Sequence, residues 1–280
     1  MPKADKELDS LLARVEDEPG DLPAWKKLAD LYQLRGDNPL SADCYGRIAD
    51  GLATEGFAIK AVPMYKQALK LDRSRIDLNL SLAQQYQQMG LKAEAIAQLQ
   101  IVCEVYQQQG QQDALLELLT HMLLLDPDNV AVRVRRAELC VDLGHSAEAV
   151  AELGRASGYL KRNNRIEEYV KIAERLLFLD GDNLVLGREL AQIYLALGET
   201  RSALAKLQAC FNLDGQDVET LTLLAQAFQE LEQPAKAAKI FKELARVYAE
   251  ADQSDEEQAA WAKVRSLTPD DPDLPRRARR

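Results

Sequence analysis

The chain has few of the residues that form disulfide frameworks and metal centres. Its 280 residues include four cysteines and two histidines, and no CxxC or Cys/His spacing suits a metal ion. We therefore expect no metal site and no cofactor. Four positions are instead predicted to be small core residues: Cys44, Cys103, Cys140 and Cys210.

Long apolar runs are also missing. The first ten residues lack the apolar centre of a secretory signal, and the most apolar stretch, 114–125, is interrupted by Glu117, Thr120 and His121. We therefore expect no membrane insertion and a cytoplasmic location.

Catalytic motifs are absent from the sequence. It contains no P-loop, GxGxxG, HExxH, GxSxG or kinase pattern. His121 falls on a predicted helix and His145 in a predicted turn, and neither has a ligand partner nearby in sequence. The carboxylates are spread along predicted helices, as on a solvated face. We predict that the chain is not an enzyme.

The charge balance argues against binding to nucleic acid. A formal net charge of -10 repels phosphate backbones. The one sharp basic cluster lies in residues 276–280, and we expect a flexible tail or a linker there.

Most of the chain consists of residues that favour helices. Apolar residues make up 47%, aromatic residues only 6%, and Leu, Ala, Gln, Glu and Lys dominate. A chain of this length forms either two globular domains or one elongated array.

A recurring Leu-Asp pair divides the chain into repeats. The pair ends at residues 72, 126, 180 and 214, and a related Leu-Thr ends at 268. The pattern predicts a solenoid over 19–268 with a capping helix at 1–18 and a flexible basic tail at 269–280. Its five units are 19–72, 73–126, 127–180, 181–214 and 215–268.

Fixed positions within each unit carry similar residues. The eleventh position after each boundary is always alanine, which lets neighbouring helices approach closely: Ala29, Ala83, Ala137, Ala191 and Ala225. The eighteenth position is Gly36, Gly90, Gly144 and Gly198 in the first four units. The fifth unit has Glu232 where a turn favours glycine.

These columns resemble the tetratricopeptide repeat. The segment Trp25-x2-Leu28-Ala29-x2-Tyr32 matches the first-helix motif of that family, and Ala95-x3-Leu99 is one of four matches to its second-helix motif. The resemblance implies an all-α fold, a right-handed α-α superhelix in a solenoid of this type.

The spacing of 54 residues leaves room for a third helix in most units. The family's usual repeat has 34 residues, and the remaining 20 are enough for one more helix and a turn. We predict three-helix modules in which the middle helix packs on two faces. The first six expected helices span 23–35, 41–55, 59–71, 75–89, 92–109 and 112–125.

The resemblance also indicates where a partner would bind, because first helices in this family line the ligand groove. Val185 is expected to face the same groove, and ordinary helix surface is the alternative interpretation. The candidate partner-binding residues are Gln84, Gln87, Val134, Glu138, Val141, Arg188, Gln192, Leu195, Gln226 and Gln229.

Together these features favour a non-catalytic scaffold or adaptor that binds a partner protein or peptide in a groove. A role in bacterial signalling, motility or secretion machinery is the specific form of this hypothesis. The alternative is a regulatory repeat region of a larger enzyme or sensor. The identity of the partner and the oligomeric state are left open by the sequence.

Overall fold

The computed structural model describes residues 2–274, with side chains from Lys6 onward, and all regular structure in this part of the chain is α-helical. The expectation of an all-α fold is confirmed. The helices are α1 (Pro2–Asp17), α2 (Leu22–Arg35), α3 (Asn38–Thr54), α4 (Ala58–Leu71), α5 (Ile76–Gln88), α6 (Lys92–Gln108), α7 (Gln112–Leu125), α8 (Val130–Asp142), α9 (Ser146–Arg162), α10 (Ile166–Leu179), α11 (Leu184–Ala196), α12 (Thr200–Leu213), α13 (Val218–Glu230), α14 (Pro234–Glu250) and α15 (Ser254–Leu267).

The helices fall into groups of three and, once, of two. Each group ends at the leucine of the recurring pair, so the groups are α2–α4, α5–α7, α8–α10, α11–α12 and α13–α15. The middle helices α3, α6, α9 and α14 all have 17 residues, longer than their neighbours. Four of these five groups contain three helices, the number predicted for a module, and residues 275–280 of the predicted tail lie outside the described part of the chain.

The glycine column closes the first helix of four groups. Gly36 has φ +81°, and the amide of Asp37 donates to the carbonyl of Tyr32 at 2.9 Å, which satisfies a carbonyl at the helix end. Glu232 takes the same left-handed conformation at φ +56°, and the amide of Gln233 donates to the carbonyl of Phe228 at 2.9 Å. The turn therefore forms without glycine, although a side chain with a Cβ is strained there.

The chain divides into two compact units, Met1–His145 and Ser146–Arg280. In the first, α3 packs against both α2 and α4, as a helix with two apolar faces must. Leu11 and Val15 of α1 are buried in the same core. The alanine column is buried here at Ala29, Ala83 and Ala137, which confirms its packing role.

In the second unit α11 contacts both α12 and α13. Ala191 and Ala225 are fully buried. Gly187 permits an especially close approach, because a Cβ at that position would lie 2.6 Å from Sγ of Cys210. All four cysteines are buried, as predicted from their sequence positions.

Candidate functional site

A groove in the second unit, called here the α11 groove, is the candidate site. It has a volume of about 480 Å³ and is formed by the end of α9, the start of α10, one side of α11 and the start of α13. Its lining consists of Lys161, Ile166, Tyr169, Val185, Arg188, Glu189, Gln192, Ile193 and Glu219.

The apolar part of the groove is open to solvent. Val185 is 64% exposed at the first turn of α11, while Ile166 and Ile193 are half-buried beside it. An exposed β-branched residue next to half-buried isoleucines forms an apolar surface that another chain can cover. Tyr169 lies beneath, almost fully buried. Burial and then a hydrogen bond to Glu189 raise the pKa of Tyr169, so its phenol stays protonated above the range in which an exposed tyrosine ionises.

The charged groups of the groove pair with one another. The Nη1 atom of Arg188 donates to both carboxylate oxygens of Asp217, at 2.8 and 3.0 Å, and lies 2.6 Å from Oε2 of Glu219. Lys161 pairs with Glu189 at 2.6 Å. Arg188 therefore ties α11 to the start of α13, and it does not pair within its own helix.

Asp217 has a second role at this contact. Its Oδ2 atom accepts hydrogen bonds from the backbone amide of Thr220 at 2.8 Å and from the Thr220 hydroxyl at 2.5 Å. The carboxylate is thus the N-cap of α13, where it also interacts favourably with the helix dipole. One aspartate fixes both the helix start and the position of Arg188.

The predicted amide strip is exposed on the first helices of the second unit. Gln192 lies in the groove, and Gln226 and Gln229 are exposed on α13. Nε2 of Gln226 donates to Oε1 of Glu230 at 2.9 Å. A glutamine side chain can donate and accept at once, so Gln192 can bind a peptide backbone group of either kind.

Leu195 does not face the groove, which corrects the sequence prediction. It is only 8% exposed and packs in the core with Ala191, Leu207 and Leu223. The fifteenth position of a unit lies on the border between the solvated and the packed side of the helix. Its side chain turns inward here because the neighbouring α12 and α13 offer an apolar surface.

The other predicted residues lie in the first unit. Gln84 is exposed and Gln87 half-buried on α5, whereas Val134, Glu138 and Val141 lie on α8. Glu138 lines a smaller pocket of about 220 Å³ formed by α6, α7 and α8. At its rim Nη2 of Arg135 donates to Oε1 of Gln107 at 2.7 Å. Five candidates thus lie in each compact unit.

Sequence reasoning missed the groove residues that come from other helices. Lys161 lies in the last turn of α9 and Tyr169 in the first turn of α10, so neither belongs to a first-helix column. Glu189 lies on α11 but faces Lys161 and Tyr169. No signal in the columns could have found these residues, because only the folded arrangement brings the three helices together.

Among residues 2–274 no cluster of three or more His, Cys, Asp or Glu side chains is placed to hold a metal ion. Within the same range no helix combines the length and the apolar character needed to cross a membrane.

Consecutive helices of each unit pack as hairpins, and the motif alanines lie buried at their crossings. This arrangement, with small residues at the helix crossings, resembles that of tetratricopeptide repeats. Its departure from the usual two-helix repeat is the third helix present in four of the five groups.

Several solved structures are similar to this chain. MamA is 17% identical, with 74% of this chain and 97% of that chain covered and a TM-score of 0.28. A tetratricopeptide repeat protein from Parabacteroides merdae is 16% identical, with 91% and 99% covered and a TM-score of 0.30. The tetratricopeptide domain of P58(IPK) is 15% identical, with 96% and 94% covered and a TM-score of 0.29. No protein-family model and no curated protein matches the chain.

Proposed function

We propose that the chain is a non-catalytic scaffold that binds a partner protein or peptide, with the α11 groove as its principal contact. The observation that carries the proposal is the exposure of Val185 beside Gln192 in a groove of about 480 Å³. Apolar surface and an amide at the same place suit a peptide, which presents side chains and backbone groups together.

The charge pairs of the groove support a role in partner binding rather than in catalysis. Arg188 is held by Asp217 and Glu219, and Lys161 by Glu189, so these cations and carboxylates already compensate one another. A general acid or base works best when its pKa is tuned to the operating pH and it can reach a substrate proton. The paired groups instead position the helices that form the groove.

The predicted residues outside the groove extend the proposal. Gln226 and Gln229 on α13 are candidates for further contact with the same partner. In the first unit Gln84, Gln87 and Val141 remain a second candidate surface. A role in bacterial signalling, motility or secretion remains a prediction from the sequence.

Selection of peptides from a random display library on the immobilised chain tests this proposal. Peptides that are enriched on the intact protein are synthesised and their affinity is measured by fluorescence anisotropy. Val185→Glu places a charge on the exposed apolar surface, and we expect it to weaken binding at least about tenfold. Because Val185 is mostly exposed, circular dichroism of the variant should remain unchanged.

Leu197→Glu is the matched control. Leu197 follows α11 directly and is also an exposed apolar residue of the second unit, but it does not line the groove. Peptides that bind both variants equally well would place the contact elsewhere. If no peptide is enriched over an unrelated protein, the assignment of peptide binding to the groove is wrong.

A further inference from the structure

The charged side chains at the α11 groove do not cancel completely. Lys161 and Glu189 form one pair, with Nζ 2.6 Å from Oε1. Arg188 is the second cation, and its Nη1 atom faces two carboxylates, Asp217 and Glu219. Two cations thus meet three carboxylates, which leaves one negative charge in excess at the groove.

Glu219 presents this excess charge to solvent. Its side chain is 69% exposed, whereas those of Arg188 and Asp217 are 15% and 16% exposed. Asp217 accepts two hydrogen bonds from Nη1 of Arg188, so Arg188 keeps a partner when Glu219 turns towards a ligand. Because an exposed ion pair contributes little to stability, such a turn costs little free energy.

The charges next to the groove keep it negative. At the start of α10, Arg165 donates to both carboxylate oxygens of Glu168. Arg162 and Glu167 lie nearby, are both exposed and have opposite charges. Asp182 is exposed in the turn that precedes α11 and adds a further negative charge. The sign agrees with the net charge of -10 on the whole chain.

Glu219 reaches the groove because the group that contains α11 has only two helices. Helix α13 follows α12 directly and contacts α11, so the first turn of α13 lies beside the groove. In the preceding group Val134 occupies the position of Arg188 and carries no charge. The cluster of one arginine and two carboxylates therefore does not recur in that group.

We propose that the α11 groove selects a peptide with a basic residue close to an apolar one. The apolar side chain covers Val185, and the lysine or arginine side chain pairs with Glu219. Val185 and Arg188 are three residues apart on one side of α11, and Oε2 of Glu219 lies 2.6 Å from Arg188, so one short peptide can reach both contacts. A carboxylate at the rim attracts a cation and repels an acidic peptide, which sets partner choice and association rate. This preference rests on the proposed function of the groove.

The test begins with peptides that are enriched on the intact chain and lose binding to Val185→Glu. We expect each of them to contain a lysine or arginine close to an apolar residue. One such peptide is synthesised unchanged, with glutamine in place of its basic residue, and with glutamate there. By fluorescence anisotropy at low salt, the glutamine peptide should bind the wild-type protein about fivefold more weakly and the glutamate peptide at least about tenfold more weakly. Both differences should shrink as the salt concentration rises.

Variants of Glu219 locate the contact. Glu219→Gln should reduce the difference between the basic and the glutamine peptide to less than about twofold, because the carboxylate that favours the cation is gone. Glu219→Lys should reverse the order and favour the glutamate peptide.

Glu256→Gln is the matched control. Glu256 lies in the first turn of α15, as Glu219 lies in the first turn of α13, so both variants remove the same charge from the same part of a helix in the second unit. Because Glu256 does not line the groove, its loss should leave the preference for the basic peptide unchanged.

Failure of the charge preference is distinguishable from failure of the proposed function. Peptides that need Val185 but contain no basic residue, or whose preference is the same in Glu219→Gln and Glu256→Gln, would overturn the preference and leave groove binding intact. If no peptide is enriched, or if none loses binding to Val185→Glu, both proposals are wrong.

Discussion

At the scale of single residues, the turns that end the first helices show two solutions to one backbone requirement. Gly198 and Glu232 occupy equivalent positions and both have positive φ, +77° and +56°. Glycine adopts this conformation without steric cost, whereas a residue with a Cβ loses about 1–2 kcal/mol. The fifth group therefore carries strain that the fourth does not.

Glu232→Gly should raise the free energy of unfolding by about 0.5–1 kcal/mol. Relief of the left-handed strain exceeds the extra entropy that glycine gives the unfolded chain. Urea denaturation measures the change, and Gly198→Ala is the reverse control, expected to destabilise by a similar amount because a Cβ there meets no neighbour within 4 Å. A lower midpoint for Glu232→Gly would contradict the assignment of strain.

Ala83→Leu should lower the free energy of unfolding by about 1–3 kcal/mol. Ala83 is fully buried in the column of alanines, and added methyl groups would push the packed helices apart. Ala97→Leu on α6 is the control, because Ala97 is exposed and a larger side chain there displaces only water. Equal denaturation midpoints for the two variants would show that the column is not tightly packed.

At the scale of helices, the structure depends on contacts that join one repeat group to the next. Arg188 on α11 and Asp217 at the start of α13 are both largely buried, with side chains 15% and 16% exposed. Lys26 and Asp30 form the opposite case, an (i, i+4) pair within α2 whose side chains are about half exposed. Partial burial reduces screening by solvent, so the first pair should matter more.

A double-mutant cycle of Arg188→Ala and Asp217→Asn should give a coupling energy of about 1–2 kcal/mol. The same cycle on Lys26→Ala and Asp30→Asn should give less than about 0.5 kcal/mol, since exposed pairs within a helix contribute little. Chemical denaturation of the single and double variants supplies the energies. Indistinguishable couplings would mean that the Arg188 contact does not hold α11 to α13.

The helices themselves were largely predictable, and the orientation of individual side chains was not. The predicted helix 23–35 is observed as Leu22–Arg35, and 112–125 as Gln112–Leu125. Helix ends are set by local chemistry, such as the Leu-Asp pair and the glycine turn. Leu195, however, was expected in the groove and lies in the core, because its orientation depends on which helices pack beside α11.

At the scale of the whole molecule, burial of ionisable groups makes the free energy of unfolding fall at alkaline pH. Burial raises the pKa of the Cys44 and Cys103 thiols from 9.0 to about 11. Unfolded chains ionise these thiols near pH 9, whereas the folded protein keeps them neutral. The stabilisation linked to them is therefore complete below pH 9 and is lost as the pH rises towards 11.

The urea midpoint should fall between pH 9 and pH 11. Cys44→Ala with Cys103→Ala should reduce this fall, because the unfolded chain then has fewer groups to ionise. Tyr65 adds a decline in the same direction at higher pH, since burial and its hydrogen bond to Asp50 raise the pKa of the phenol. A midpoint that is constant from pH 8 to pH 11 would contradict the burial of these groups.

The sequence by itself determined the helical content, the repeat length and the positions of the three-helix groups and the two-helix group. It could do so because recurring alanines, glycines and Leu-Asp pairs act through local conformation and close packing. The tertiary structure alone decided which of these helices form a groove and which side chains enter it. Val185 and Tyr169 come together, and Glu219 reaches the same groove, through the packing of helices distant in the chain. Such contacts depend on how each helix is rotated about its axis relative to its neighbours. The repeat pattern of the sequence does not specify that rotation.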